Sequence, residues 1–232
     1  MIEIGKHNEL TVLRQTSVGL YLGDDAGEDV LLPNKYCPEG AGQGEAHMTL
    51  LIVGLVLFLG IHSVRIVPGL RAGMVKGFGA GGYKLLYSLL SIAGFALIIW
   101  GKIQAHPSEM IWDPPVWSRT VALIAVPLSL ILLISTYTPG HIRHTVRHPM
   151  MLAVFIWSGA HLLANGELAS IVLFGSFFVW SFLVLIPAFI RGGAPSTPPG
   201  WGGDVTAVVI GGLIAAALAR FHLYLFGVAV IG

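Results

Sequence analysis

"HIRHTVRHPMMLAVFIWSGAHLLANG", residues 141–166, decides the fold. Histidines and arginines crowd its first eight residues, and the side chains from Pro149 to Ala164 are then almost all apolar. Proline at a first helical position loses no hydrogen bond, and it pushes the residue before it toward extended backbone. Arg147-His148-Pro149 therefore reads as a helix start. Asn165-Gly166-Glu167 reads as a tight connection into a further apolar run over 168–190. Such a pair of helices belongs in a membrane.

The rest of the chain agrees. Its 232 residues are 55% hydrophobic and only 11% charged, with a mean hydropathy of +0.79, outside the range of soluble domains. A net charge of +1 gives no basis for a nucleic-acid partner. The single cysteine, Cys37, can form neither an internal disulfide nor a thiolate cluster. Residues 1–47 are charged throughout, so no cleavable signal peptide is expected there.

A helix needs roughly 20 apolar residues to cross a bilayer. Six runs qualify, near 49–67, 84–102, 117–137, 149–164, 168–190 and 205–231. The fourth is short, and Arg220 and His222 interrupt the last. Basic residues mark the cytoplasmic loops: Arg65, Arg71, Lys76 and Lys84 in one, Arg143 and Arg147 in the 138–148 loop. Glu109, Asp113 and Glu167 fall on the other side. This predicts a multi-pass membrane protein, with lipid as its surroundings and both termini on the outer side. The expected fold is an all-α six-span bundle with a short N-terminal β segment.

That segment, "IGKHNELTVLRQTSVGLYLGDDAGEDVLLPNKYCPEG", alternates apolar and polar residues around Gly-Asp-Asp-Ala-Gly and reads as three short strands. It resembles the S1-like, OB-type segment that opens the CvfB family of RNA-binding proteins, and is shorter than the five strands such a barrel needs. The expected division is 1–47, a truncated S1/OB-like fusion or start-site remnant, and 48–232, the membrane domain, with Met48 as its natural initiator.

Ionisable groups inside spans are expensive, on the order of 2.5–3.5 kcal/mol for a mid-span charge on insertion scales, and so mark function by default. His62 lies in "FLGIHSVRIV" of the first span, where a neutral imidazole bonded to a carbonyl beside a snorkelling Arg65 is the plain alternative. His161 shares its helix face with Ser158 and Asn165, a polar stripe that faces a partner or a cavity rather than lipid. Two imidazoles from different spans are the minimum that holds a haem iron from both faces. Zinc would want carboxylate or thiolate ligands that these spans lack, and a serine hydrolase would want an oriented acid. With a rise of 1.5 Å per residue, His62 lies within about 8 Å of the inner boundary and His161 about 18 Å from it. On depth alone His148 is the rival partner of His62. Arg147 and His148, with His141 and His144, form a basic inner cluster suited to lipid phosphates or to the carboxylates of an anionic cofactor.

From Met48 onward, about four fifths of the chain, the sequence resembles the NnrU family of bacterial membrane proteins. The residues that carry the resemblance are "MTLLIVGLVLFLGIHSVRIV", "YKLLYSLLSIAGF", "PPVW" and "HPMMLAVFIWSGAHLLANGELASIVLFGSFFVWS". The resemblance implies a role beside nitrite and nitric oxide reduction in denitrification, with nitrogen-oxide reductase components as partners. The family also includes a 15-cis-zeta-carotene isomerase that binds haem b and acts on a hydrophobic carotenoid. Its two histidine motifs match His62 and His161, while a cysteine of the second motif is Ser158 here. Arg-His-Pro also recurs in membrane methyltransferases, but residues 191–204 lack the acidic pair those need.

The sequence thus predicts haem b ligated by His62 and His161, with Ser158, Asn165, Arg147 and His148 around the cofactor. The expected role is support of nitrogen-oxide respiration. A haem-dependent cis-trans isomerase and a cofactor-free scaffold or assembly factor are the alternatives.

Overall fold

A computed structural model of the chain describes residues 10–16, 19–23, 28–37, 44–64, 66–106, 108–191 and 200–226. The chain divides into two compact units, one of Met1–Asp113 with Gly166–Leu173 and one of Pro114–Asn165 with Phe174–Gly232.

In the first unit, β1 (Thr11–Thr16), β2 (Gly19–Gly23) and β3 (Asp29–Pro33) form an antiparallel sheet with β2 in the middle. The three expected strands are present. A register shift between Val12 and Arg14 interrupts the β1–β2 ladder, and Leu20 is the buried side chain of the central strand. The tip of the expected Gly-Asp-Asp-Ala-Gly hairpin, residues 24–27, lies outside the described residues, as does Arg65.

Two helices follow, α1 (Gly44–Ser63) and α2 (Leu70–Gln104), packed antiparallel against each other. Their backbones meet where side chains are missing. A Cβ on Gly94 would stand 2.8 Å from the Phe58 nitrogen, and one on Gly101 would run into the backbone of Leu51. Apolar side chains gain little from each other in lipid, so close backbone approach at small residues is what holds such a pair.

α2 corrects one expectation. Residues 70–83 had the glycines of a loop, yet they are helical, with a bend at Gly79 (φ 72, ψ 166). The reason is tertiary packing, which overrides weak local propensity: Met74, Val75, Tyr87 and Leu90 cover a core of Ile61, Val64 and Tyr83. Beyond α2, Ile111 N–H donates to Gly166 O and Leu168 N–H to Glu109 O, each at 2.8 Å. Met110 and Glu167 pair as an antiparallel bridge.

The second unit contains α3 (Val116–Ser135), α4 (His141–Val146), α5 (Pro149–Ala164), most of α6 (Leu168–Arg191) and α7 (Gly202–Phe226). α3 packs against α5 and α7. Most of the unit's buried positions are small: Ser118, Ser129 and Ser135 on α3, Ala153, Ser158 and Ala160 on α5, Ala207 and Ala215 on α7, with Leu132, Phe174 and Leu185 as larger exceptions. Large apolar residues such as Ile124, Leu128, Val208 and Leu213 point outward. Small inside and greasy outside is the reverse of a soluble core and suits a lipid surrounding.

Among the described residues, four helices are long and apolar enough to cross a membrane: Leu70–Gln104, Val116–Ser135, Leu168–Ile190 and Gly202–Tyr224. Met48–Ser63 and Pro149–Ala164 are apolar but shorter. Among the described residues each of the six expected runs contains a helix, and four of those helices reach spanning length.

Candidate functional site

Ser158, His161 and Asn165 follow one another along α5, and each bonds back to its own helix. Ser158 Oγ donates to Val154 O at 2.6 Å, His161 Nδ1–H to Trp157 O at 2.9 Å, and Asn165 Nδ2–H to His161 O at 2.8 Å. Ser158 is fully buried, and His161 is half-buried. A carbonyl can only accept, so the proton of a neutral His161 sits on Nδ1. Nε2 then carries the lone pair, the arrangement in which an imidazole ligates a metal.

Aromatic rings from α5 and α6 fix the plane of that imidazole. The His161 ring stacks on Phe174 with centroids 4.5 Å apart and 30° between planes. Trp157 lies 5.3 Å from the imidazole and meets Phe174 edge-on at 5.2 Å. His222, in the last turns of α7, lies within electrostatic reach of His161.

His62 is in the first unit, at the end of α1. Its Nδ1–H donates to Phe58 O at 2.6 Å, so it holds the same tautomer as His161. Phe58 lies 4.2 Å and Tyr87 5.2 Å from its ring. Both imidazoles fit an iron ligand in donor atom, tautomer and partial shielding from water. Among the described residues, no three His, Cys, Asp or Glu side chains converge on one point.

Arg147 and His148 form the joint between α4 and α5. Arg147 stands at φ 64, ψ −45, and His148 N–H closes back on Val146 O at 2.7 Å. That is a γ-turn of the strained kind. His148 has the extended φ expected before proline, −124°, but a ψ of only 57°. Its Nε2–H donates to Ala188 O at 3.1 Å, and its ring meets Phe189 edge-on. Ala188 is in the last turn of α6, whose carbonyls have no intrahelical partner, so His148 caps that helix.

Two constellations escaped the sequence reading. In the first, Asp204 of α7 accepts the backbone N–H of His141 and of Ile142, each at 2.8 Å, and His141 Nδ1–H at 3.0 Å. Trp201 stacks on the His141 imidazole at 4.1 Å. A lone acid at the start of an apolar run, Trp-Gly-Gly-Asp, was the available signal. In the second, Glu167 meets Lys102 Nζ at 3.4 Å and His106 Nδ1 at 2.8 Å. Burial pushes the Glu167 carboxyl up, but the His106 hydrogen bond and the charges of Lys102 and His106 outweigh it and hold the group below the ordinary carboxylate range.

Comparison with known proteins follows the same division of the chain. Residues 50–230 match the family model described as NnrU protein, and residues 4–46 match one described as S1 domain. No curated protein and no solved structure matches.

Proposed function

We propose a function from the family outward: the chain belongs to the NnrU family, and we infer that it is a six-span membrane protein that holds haem b by histidine. In this reading it supports nitrite and nitric oxide reduction, the role that the family resemblance implies. Four spanning-length helices and two shorter apolar ones support the membrane topology.

One observation carries the haem reading. His161 gives its Nδ1 proton to a main-chain carbonyl and lies stacked on Phe174, which leaves Nε2 as a ligand with its ring plane fixed. Holding a ligating histidine through its second nitrogen is how proteins orient it and raise its basicity. His62 is prepared in the same way. Haem b, when bound, supplies a one-electron redox centre or a Lewis-acidic iron.

A second reading draws on the same ladder. Ser158, His161 and Asn165 each satisfy themselves on α5, as residues of a cofactor-free scaffold would. The absorption spectrum of the full chain, purified in detergent after haem-replete expression, separates the two. A Soret band that His161→Ala alters supports ligation. Its absence from the wild-type protein leaves the scaffold.

A further inference from the structure

The bend of α2 at Gly79 does more than redirect the helix. The turns on either side of it border an open hollow of about 400 Å³, lined by Arg71, Ala72, Val75, Lys76, Ala80, Tyr83 and Lys84. Three of those seven side chains are cations. The Arg71 guanidinium lies 5.7 Å over the Tyr83 ring, and Tyr83 is buried while Arg71, Lys76 and Lys84 are exposed. No carboxylate among the described residues pairs with any of the three.

The position of the cleft narrows its ligand. Between Lys84 and Lys102 α2 carries no charged residue, so the cleft stands where the apolar run begins, at the depth of lipid headgroups. Like charges gathered at one concave spot repel each other and are stabilised by an anion. Ala72, Val75 and Ala80 give the cleft apolar walls as well, which suits a phosphate attached to glycerol and acyl chains. We propose that this cleft binds the phosphodiester of an anionic phospholipid, with Arg71, Lys76 and Lys84 as the phosphate ligands and the Gly79 bend as the feature that brings them together.

Gly79 makes the proposal testable apart from charge. Its φ of 72° and ψ of 166° lie in a region essentially reserved for glycine. A Cβ there would meet nothing within 4 Å, so Gly79→Ala acts on the bend alone. Gly77 has open space too and carries no positive φ, which makes Gly77→Ala the matched control.

The full chain is purified in detergent containing equal amounts of phosphatidylglycerol and phosphatidylcholine, and native mass spectrometry counts the lipid retained. The wild type should retain phosphatidylglycerol in preference. Arg71→Gln and Lys76→Gln should each weaken that preference about fivefold, the effect of roughly 1 kcal/mol per surface cation. Gly79→Ala should weaken it as well, while Gly77→Ala and Arg119→Gln leave it intact. An equal loss in Arg119→Gln would mean diffuse charge attraction and overturn the site. Full retention in Gly79→Ala would overturn the role of the bend. Displacement of the lipid by an equal concentration of glycerol 3-phosphate would assign the cleft to a soluble phosphate ester and overturn the lipid.

Discussion

Asp204 and His141 are joined three ways: one carboxylate of α7 receives the imidazole Nδ1–H of His141 and the first two backbone N–H groups of α4. Those N–H groups have no partner within their own helix, and the carboxylate acts as their cap from a distance in sequence. Asp204→Ala leaves all three donors unsatisfied and should destabilise the protein by about 2 kcal/mol. Asp204→Asn keeps an acceptor for the backbone and should lose less. Thermal unfolding of the two variants in one detergent checks the order, and equal losses would contradict the capping role.

His161, His62 and His148 should separate by readout. His161→Ala should alter the haem spectrum, and His62→Ala likewise. His148→Ala should leave the spectrum unchanged and instead lower stability by about 1 kcal/mol, the worth of a hydrogen bond to an otherwise unpartnered carbonyl. A changed spectrum in His148→Ala would move ligation to the α4–α5 joint.

Glu167 should make the fold sensitive to acid. A carboxyl held below its ordinary value stabilises the fold when ionised; that contribution is complete above the unfolded value and vanishes as pH falls through the folded one. Lys102 and His106 face it, and the backbone of Glu109 is bonded beside it. The melting temperature should therefore drop as pH falls below the usual carboxylate range, and Glu167→Gln should flatten that part of the profile. An unchanged acid limb in the variant would exclude Glu167 as its source.

Gly101 should tolerate no side chain. Gly101→Val drives a branched group into the backbone of Leu51 and should cost about 3 kcal/mol or prevent assembly of the α1–α2 pair. Gly60, where a Cβ would meet nothing within 4 Å, should accept alanine with no loss. Yield and melting temperature of the two variants compare them directly.

Arg147 occupies backbone space that favours glycine. Arg147→Gly should raise stability by about 1 kcal/mol, whereas Arg147→Ala, with the same strain, should not. If both variants gained equally, repulsion among the cations would be the cause and not the backbone.

Where hydrophobic runs are long, the sequence already announces the architecture: α3, α5, α6 and α7 lie within a few residues of the expected runs. Gly-rich residues 70–83 read as a loop, because the packing that makes them helical comes from Ile61 on α1 and Val64 just beyond it. The polar face of α5 was legible from the spacing of Ser158, His161 and Asn165. What those groups bond to was not, since a stripe of i, i+3 and i+4 polar residues serves a cavity and a self-bonded helix equally. The Asp204–His141 and Glu167–His106 pairs join residues about sixty positions apart, and no local pattern records such a contact.

α4 is fixed at both of its ends. Asp204 grips its first residues, and the γ-turn at Arg147 locks its last to the start of α5. Six residues of helix measure about 9 Å, so this short segment works as a spacer bar. The first turn of α7 and the His148 end of α5 are held at a set separation, and a displacement of one is carried to the other instead of being lost in a loop.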